Sequence, residues 1–351
     1  MTGCEVTGFE RSASDLLSRC QSVDLTSANT LRLPCQAERY VAPKTLVALQ
    51  NVVREAVDKQ WHITLLGGGS NVLLPDKLKG IAIRPGMQQW WLESSGESVI
   101  AHVGAGVNWH SLVMKLAARG LWGIENLALI PGDCGAAPVQ NIGAYGVELK
   151  DVLEGVQVVE LASGNVRWLS ADACQFGYRD SIFKRSLADK VVITQLALRL
   201  SKTPLPRLGY GDLAARVAAS TSCLAVAQAV CAIRQEKLPD PKVLANAGSF
   251  FKNPLVSSDE LSRLLQAYPS MPYFPQVNGQ SKLAAGWLID QCGLKGVRQG
   301  AFGVHKRQAL VLVHFGGGDR YELLQFAEYI AHKVYDQFGV ELEPEPRIVQ
   351  A

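Results

Sequence analysis

The chain has 351 residues, enough for about two to three domains of roughly 150 residues and for a substantial hydrophobic core. Apolar residues make up 48% of the chain and charged residues 19%, which excludes an intrinsically disordered chain, a collagen and a coiled coil. Lys and Arg outnumber Asp and Glu by 35 to 32 without forming basic clusters, so no nucleic-acid partner is expected.

The eight cysteines are scattered, and none lies in a C-x-x-C pair or at zinc-finger spacing from a histidine. This pattern predicts reduced thiols and no metal site. The longest nearly apolar run, residues 224–233, has about half of the roughly 20 residues that span a bilayer. No signal peptide is apparent, so we expect a cytoplasmic protein without a membrane span.

The first part of the chain is predicted to mix helices and strands. Leu46, Leu49, Val53 and Val57 recur at steps of three and four residues, the pattern of an amphipathic helix. A second helix is expected after Asn108, which is a suitable N-cap. The predicted elements are a helix within residues 43–61, strands at 63–66 and 98–103, and a helix ending at Gly120.

Further along, two stretches rich in β-branched residues, 152–161 and 191–200, predict sheet strands on either side of an irregular segment at 176–186. Pro239 and Pro241 force an extended path that suits a domain boundary. Asp319 and Glu322 form a variant of the capping box, and Gly339 ends the helix that it opens. Beyond the prolines we expect helices at 258–268, 281–292 and 319–338 and a strand at 340–342.

Two segments have the composition of ligand-binding loops. Gly67, Gly68 and Gly69 separate two apolar runs and permit the positive φ angles that aim backbone N–H groups at a phosphate; a tight turn between strands is the open alternative. Residues 130–146 are small and almost uncharged, which suits a flat ligand better than a surface loop. No Walker motif occurs, and Trp109 at the third glycine position of G-x-G-x-x-G disfavours a dinucleotide-binding Rossmann site.

Seven short motifs follow one another along the chain. They are Gly-Gly-Gly-Ser-Asn at 67–71, Pro-Gly at 131–132, Gln-Asn-Ile-Gly-Ala-Tyr-Gly at 140–146, Phe-Gly-Tyr-Arg-Asp-Ser at 176–181, Lys-Leu-Pro-Asp-Pro-Lys at 237–242, Asn-Ala-Gly-Ser-Phe-Phe-Lys-Asn-Pro at 246–254 and Leu-Glu-Pro-Glu at 342–345. In these motifs and in their order, the sequence from about residue 29 to the C-terminus resembles the UDP-N-acetylenolpyruvoylglucosamine reductases.

The resemblance implies an α+β protein with the FAD-binding fold of the vanillyl alcohol oxidase type. It implies two FAD-binding subdomains, residues 1–87 completed by 339–351 and residues 88–238, and a substrate-binding domain at 239–338. The implied reaction reduces UDP-N-acetylglucosamine enolpyruvate to UDP-N-acetylmuramate for peptidoglycan synthesis. FAD is expected to be non-covalent, NADPH is the co-substrate, and we expect a monomer.

The resemblance also implies the site residues. Arg179 would clamp the substrate carboxylate, Ser249 would protonate C2, and Glu345 would supply a carboxyl that bears a proton. Without the resemblance, Arg179 would be a surface partner of Asp180, Ser249 a turn residue, and Glu345 part of a solvated tail. Implied cofactor contacts are Gly67, Gly68, Gly69, Ser70, Asn71, Pro131, Gly132, Gly135, Asn141 and Gly143, and implied substrate contacts are Tyr145, Tyr210, Lys237 and Asn253.

Three residues depart from the family pattern. Asp133 and Cys134 stand where small or apolar residues are more usual, and Pro346 stands where an aliphatic residue is common.

Two rival functions stay open from the sequence. They are a flavin oxidase of the same fold that uses oxygen, and a nucleotide-sugar-binding protein without catalysis.

Overall fold

A computed structural model describes residues 5–6, 21–217, 221–276 and 279–350. The chain divides into two compact units. Unit 1 takes its described residues from Met1–Asp24, Gln36–Gly69 and Lys77–Arg234, and unit 2 takes them from Leu25–Cys35, Ser70–Asp76 and Gln235–Ala351.

The α-helices are α1 (Leu46–Asp58), α2 (Trp109–Ala117), α3 (Leu213–Val217), α4 (Cys223–Lys237), α5 (Ser258–Ala267), α6 (Ala285–Gln291) and α7 (Arg320–Phe338). The strands are β1 (Glu5–Val6), β2 (Gln21–Asp24), β3 (Gln36–Pro43), β4 (Ile63–Leu65), β5 (Val72–Leu73), β6 (Lys77–Leu78), β7 (Ile81–Ile83), β8 (Trp90–Ser95), β9 (Ser98–Gly104), β10 (Gly143–Ala144), β11 (Val147–Glu148), β12 (Leu153–Glu160), β13 (Val166–Ser170), β14 (Val191–Ser201), β15 (Ala245–Ser249), β16 (Leu255–Val256), β17 (Tyr273–Pro275), β18 (Ser281–Leu283), β19 (Arg298–Gln299), β20 (Phe302–Val304), β21 (Val311–His314) and β22 (Arg347–Ile348).

Unit 1 contains a mixed sheet covered by α1. Its strands run in the order β1-β3-β7-β4, with β2 and β6 also paired to β3. The Thr45 hydroxyl caps α1, and the helix buries Leu49 and Val53 on this sheet, as the spacing predicts. Val57, assigned to the same face, is exposed instead, because the buried residues are Leu49, Val52, Val53 and Ala56, and Val57 lies about 90° around the helix from the centre of that set.

A second sheet of unit 1 is antiparallel, in the order β13-β12-β14-β9-β8. Its two predicted strands are β12 and β14, and the segment between them, residues 176–186, is irregular as predicted. Helix α2 packs on this sheet, and its predicted cap is confirmed because Asn108 Oδ1 accepts the Ser111 N–H at 3.0 Å. The same core contains Trp109 and the buried face of α4.

Unit 2 has a four-stranded sheet, β15-β21-β20-β19, and a three-stranded one, β16-β18-β17. Helix α7 begins with the predicted capping box of Asp319 and Glu322 and ends at Gly339, whose φ is +66°. It buries Phe326, Ile330 and four other side chains in the core of this unit. The α+β character predicted from the sequence is confirmed in both units.

In unit 2, one predicted helix starts too early and one predicted strand is wrong. Residues 281–283 form β18 and not the start of a helix, because Ser281 and Leu283 are buried on one face while β16 and β17 pair on either side. Helix α6 starts only at Ala285. Val340 and Leu342 are buried in the core as expected, but no ladder pairs their backbone among the described residues, and the strand forms later, as β22.

Neither a membrane helix nor a metal cluster occurs in the described ranges. Every helix there is too short or too polar to cross a bilayer. No group of three His, Cys, Asp or Glu side chains there could hold a metal ion. Cys134, Cys174, Cys223, Cys231 and Cys292 are free thiols, in agreement with the reduced state predicted from their spacing.

Candidate active site

The two glycine-containing loops of unit 1 lie against each other. A Cβ built on Gly68 would lie 2.8 Å from Gly132 Cα, and one built on Gly67 would lie 2.9 Å from Ala136 Cβ. Gly69 has a φ of +67°, in the left-handed region that favours glycine. Larger residues at these positions would push the loops apart, so the two segments predicted to bind ligand form one surface.

Backbone hydrogen bonds fix the second of these loops, residues 131–136, to the segment that leads into α2. Gly135 N–H donates to Ala105 O at 2.8 Å, and Trp109 N–H donates to Gly132 O at 3.0 Å. A Cβ on Gly135 would lie 2.6 Å from Ala105 Cβ, so this approach also needs glycine. Trp109 itself is buried in the core, which agrees with the absence of a dinucleotide-binding fingerprint here.

Two of the three departures from the family pattern lie in this loop. Asp133 is buried, and its carboxylate receives two hydrogen bonds from Arg84, at 2.8 Å from Nε and 3.1 Å from Nη2. Burial raises the pKa of Asp133, and the Arg84 bonds oppose that rise. Cys134 is fully buried, and burial raises the pKa of its thiol. Asp133 therefore ties the loop to the strand region of Arg84, and Cys134 is a packed, protonated thiol.

The loop at residues 139–146 is joined to the irregular segment by Asn141. Its Nδ2 donates to Glu148 Oε2 at 2.9 Å and to Gly177 O at 3.1 Å, and its Oδ1 accepts the Lys150 N–H at 3.0 Å. Both amide donors are thus used within the protein. Its assignment as a cofactor contact stays a prediction.

Arg179 projects from the irregular segment onto the same loop. Its φ is +53°, uncommon for a residue with a side chain, and its Nη2 donates to Gly143 O at 3.0 Å. A Cβ on Gly143 would lie 3.2 Å from Arg179 Nη1, so glycine leaves room for the guanidinium. The carboxylate of Asp180 lies 3.1 Å from Arg185.

A second arginine, Arg234 on α4, lies close to Arg179 and Tyr145. Part of its side chain reaches the surface, but its Nε is buried and has no hydrogen-bond partner among the described residues. Burial lowers the pKa of Arg234, Tyr145 and Cys231 act against that decrease, and the charge of Arg179 adds to it. Arg179 and Arg234 thus place two positive charges in one partly buried region, and no carboxylate of the described residues pairs with Arg234. This region is suited to binding an anion.

The predicted substrate residues Tyr145 and Tyr210 are in contact. Their ring centroids lie 5.5 Å apart at an angle of 73°, an edge-to-face pair. Burial raises the pKa of Tyr145, and Arg234 acts in the opposite direction. Tyr210 is about half exposed and is followed by Gly211 with a φ of +58°.

Ser249 and Glu345 are brought together within unit 2. Ser249 is the last residue of β15, after an irregularity in the pairing with β21, and it follows Gly248 with a φ of +73°. Glu345 N–H donates to the carbonyl of Phe250, the residue after Ser249, at 2.8 Å. The C-terminal segment therefore lies beside the end of the strand that carries Ser249.

The other predicted site residues of unit 2 are Asn253 and Lys237. Asn253 Oδ1 accepts the Ala285 N–H at 3.0 Å at the start of α6. Lys237 is exposed at the end of α4. Arg347, after the unusual Pro346, pairs in parallel with Val72, and its N–H donates to Asn71 O at 3.0 Å.

Arg179 belongs to unit 1, and Ser249 and Glu345 belong to unit 2, so the convergence of all three at one reacting centre stays a prediction. Arg234 was missed by sequence reasoning. The available signal was an arginine placed directly after the nearly apolar run at 224–233, one helical turn before Lys237.

Comparisons with known proteins match two parts of the chain to protein-family models. Residues 37–170 match the model of an FAD binding domain, and residues 240–349 match the model of the UDP-N-acetylenolpyruvoylglucosamine reductase C-terminal domain. The reductase of Chromobacterium violaceum is 44% identical over 93% of this chain and 98% of its own length. That of Neisseria gonorrhoeae is 45% identical over 92% of this chain and 95% of its own length.

Solved structures confirm the predicted fold. The UDP-N-acetylenolpyruvylglucosamine reductase of Thermus caldophilus matches with a TM-score of 0.67 and 24% identity, over 95% of this chain and 99% of that one. A solvent-stable cholesterol oxidase matches with a TM-score of 0.50 and 13% identity, over 93% of this chain and 86% of that one. These two show the fold alone, whereas the identity to the curated reductases over almost the whole chain shows that it belongs to the UDP-N-acetylenolpyruvoylglucosamine reductase family.

Proposed function

We propose that this chain reduces UDP-N-acetylglucosamine enolpyruvate to UDP-N-acetylmuramate in peptidoglycan precursor synthesis, with NADPH as reductant and FAD as cofactor. The observation that carries the proposal is the identity of 43 to 45% to reductases of this name over more than nine-tenths of both chains. The reaction class is therefore that of a flavin-dependent oxidoreductase acting on a UDP-sugar.

The glycine loops fit the cofactor. The positions where a Cβ would meet backbone or a small side chain, Gly67, Gly68 and Gly135, leave a surface of main-chain atoms on which a flat ring and a diphosphate can lie. FAD held there would supply the hydride-transfer chemistry that connects NADPH with C3 of the enolpyruvyl group. Residues proposed to hold it are Gly67, Gly68, Gly69, Ser70, Asn71, Pro131, Gly132, Gly135, Asn141 and Gly143.

The buried state of Cys134 supports non-covalent binding. A covalent flavin link through sulfur needs a thiolate nucleophile, and burial keeps this thiol protonated by raising its pKa. Asp133 increases that effect through its negative charge.

The substrate's carboxylate is where the protein must act. Hydride addition at C3 leaves an electron pair at C2 that spreads into the carboxylate, so a second negative charge develops there. We propose that Arg179, held by the Gly143 carbonyl, clamps this group, and that Arg234 adds positive charge beside it. The edge-to-face pair of Tyr145 and Tyr210, with Lys237 and Asn253, would hold the UDP-sugar.

Protonation at C2 completes the reaction. We assign it to the Ser249 hydroxyl, at the end of β15, with Glu345 as the neighbouring carboxyl that stabilises the charged intermediate. The glycine before Ser249 has a φ of +73°, so the backbone turns sharply where the hydroxyl is presented. Ser249 and Glu345 are one backbone hydrogen bond and one residue apart, which supports a shared role.

The test is an anaerobic experiment that follows flavin absorbance near 450 nm. NADPH should bleach the flavin in wild type and in Ser249→Ala at rates within about twofold of each other. The enolpyruvyl substrate should then restore the colour in wild type but at least about 100-fold more slowly in Ser249→Ala. Ser262→Ala, on the exposed face of α5, is the matched control and should behave as wild type.

Other outcomes would contradict the proposal. Colour restored by oxygen but not by the enolpyruvyl substrate would indicate a flavin oxidase. UDP-sugar binding without flavin or turnover would indicate a binding protein. Equal loss of both half-reactions in Ser249→Ala would remove the proton-donor role from Ser249.

The proposal extends to location and assembly. NADPH and a UDP-sugar are soluble small molecules, and with reduced thiols at Cys134 and Cys223 this supports a cytoplasmic enzyme. We propose a monomer, which light scattering at working concentration would test.

A further inference from the structure

Asn126 is a fully buried side chain that joins two loops distant in sequence. It lies in the single helical turn Glu125–Leu127 of unit 1. Its Nδ2 donates to Tyr145 O and to Arg207 O, both at 2.8 Å. One amide group therefore bridges the loop that carries Tyr145 and the segment that leads to Tyr210.

The turn that carries Asn126 is held on both sides. Glu125 Oε2 accepts the Gly123 N–H at 2.7 Å, and Trp109 Nε1 donates to Leu127 O at 3.0 Å. Trp109 and Leu127 are both in the buried core of unit 1. Asn126 therefore projects from a fixed support.

Arg207 is held at both its backbone and its side chain. Besides the bond from Asn126 to its carbonyl, its Nη1 lies 2.7 Å from Asp151 Oδ2, and that oxygen also accepts the Glu148 N–H at 3.1 Å. Three residues later comes Tyr210, about half exposed, between two glycines. The segment is thus fixed at Arg207, three residues before Tyr210.

The amide oxygen of Asn126 does not contribute to the bridge. Its Oδ1 is buried and has no hydrogen-bond partner among the described residues. A buried acceptor without a partner is unfavourable, so the contacts that this side chain makes with the rest of unit 1 come from its two donors.

We propose that Asn126 is a positioning residue that sets the distance between Tyr145 and the root of the Tyr210 loop, so that both rings meet the substrate together. The inference rests on the proposed function, in which both tyrosines contact the UDP-sugar. Asn126 acts through these residues and is not itself assigned a contact with substrate. Its loss should weaken substrate binding and leave flavin reduction by NADPH unaffected.

The test compares Asn126→Asp, Tyr210→Ala and the double variant with wild type. Asp has the same shape as Asn but lacks both donors, so KM for UDP-N-acetylglucosamine enolpyruvate should rise about tenfold while the rate of flavin reduction by NADPH stays within about twofold. Because Asn126 acts through Tyr210, the two changes should be non-additive, the double variant having nearly the KM of Tyr210→Ala. An unchanged KM in Asn126→Asp, or additive effects, would overturn the proposal.

Asn29 provides the matched control. It is also buried, and its Nδ2 donates to backbone carbonyls of Leu25, Thr26 and Leu33 within unit 2. Asn29→Asp should lower the melting temperature without raising KM. If it raised KM as much as Asn126→Asp, loss of a buried amide in general would explain the effect and the positioning role would be lost.

A second measurement does not depend on turnover. In Asn126→Ser, folded as judged by bound FAD, amide exchange in the β10–β11 hairpin should be at least about tenfold faster than in wild type, since the hydrogen bond that holds the Tyr145 carbonyl is gone. Unchanged exchange would refute the bridge. If wild type fails to reduce the enolpyruvyl substrate, the proposed function fails, while this measurement still decides whether Asn126 holds the loops.

Discussion

Arg234 carries a charge that the folded protein compensates poorly. Its Nε is buried without a partner in the described chain, and Arg179 lies close enough to lower its pKa further. Taking a cation out of water without a counter-ion lowers the stability of the fold. A bound anion would neutralise this charge, and the substrate has two anionic groups, a carboxylate and a diphosphate.

Arg234→Met should have opposite effects on the stability of the fold and on substrate binding. Methionine has a similar length and no charge, so the melting temperature without substrate should rise by about 2 to 4 °C. KM for the enolpyruvyl substrate should rise about tenfold or more. Thermal unfolding and steady-state kinetics measure the two quantities.

The matched control is Arg199→Met. Arg199 pairs with Glu154 at the surface, so neither its melting temperature nor its KM should change appreciably. A lower melting temperature together with an unchanged KM in Arg234→Met would show that Arg234 is a structural residue.

At the scale of elements, the parts predicted from the sequence were those with local signals. Capping residues such as Asn108 and Asp319 and the terminal Gly339 act within one turn, so their positions could be read directly. Residues 281–283 were misassigned because Ser281 and Leu283 are buried through pairing with residues 6 to 25 positions earlier in the chain, in β16 and β17. A strand of three residues is too short for its alternation of buried and exposed side chains to be distinguished from a helical pattern.

The capping box of α5 gives a pH-dependent prediction. Glu260 Oε2 accepts the backbone N–H and the hydroxyl of Ser257, both at 2.8 Å, and these bonds lower the pKa of Glu260 from its ordinary value of 4.5. A carboxyl whose pKa is lower in the folded chain contributes stability above the unfolded pKa and loses that contribution as the pH falls through the folded one.

Glu260→Gln keeps the capping geometry without the charge. Wild type should therefore melt on the order of 1 °C higher than the variant near pH 7, and the difference should vanish as the pH falls below about 4. Differential scanning calorimetry across this range measures it. Glu328→Gln, exposed in the middle of α7, should show no such trend, and a difference that grew toward low pH would contradict the assignment.

For the whole molecule, the motifs predicted the family and the glycine loops, but not the side chains that connect them. Asn126 and Arg234 stand in no motif, and the roles proposed for them rest on the proximity of Tyr145, Arg207 and Arg179, which are distant in sequence. The predicted domain boundaries at 87/88 and 238/239 stay predictions. Packing of Leu73 with the core of unit 2 depends on the pairing of β5 with β22, which no local pattern reveals.

The distribution of site residues between the units leads to a prediction about the cofactor. The loops at 67–69, 131–136 and 141–146 all lie in unit 1, whereas α5 and α7 lie in unit 2 and contain no proposed FAD contact. A ligand that binds only the folded chain stabilises it by about 2.7 kcal/mol at a concentration of 100 times its Kd. Local opening at the loops that touch the ligand should respond most strongly.

Hydrogen exchange should therefore differ between FAD-bound and FAD-free protein mainly in those three loops. We expect exchange there to become at least about tenfold faster on FAD removal, with amides of α5 and α7 changing less than about twofold. Returning FAD should restore the slow exchange, which serves as the control for irreversible unfolding. Faster exchange spread evenly over both units, or confined to α5 and α7, would contradict the placement of the cofactor on the glycine loops. The bound and free proteins differ only in FAD, so the segments whose exchange changes most are those that FAD contacts.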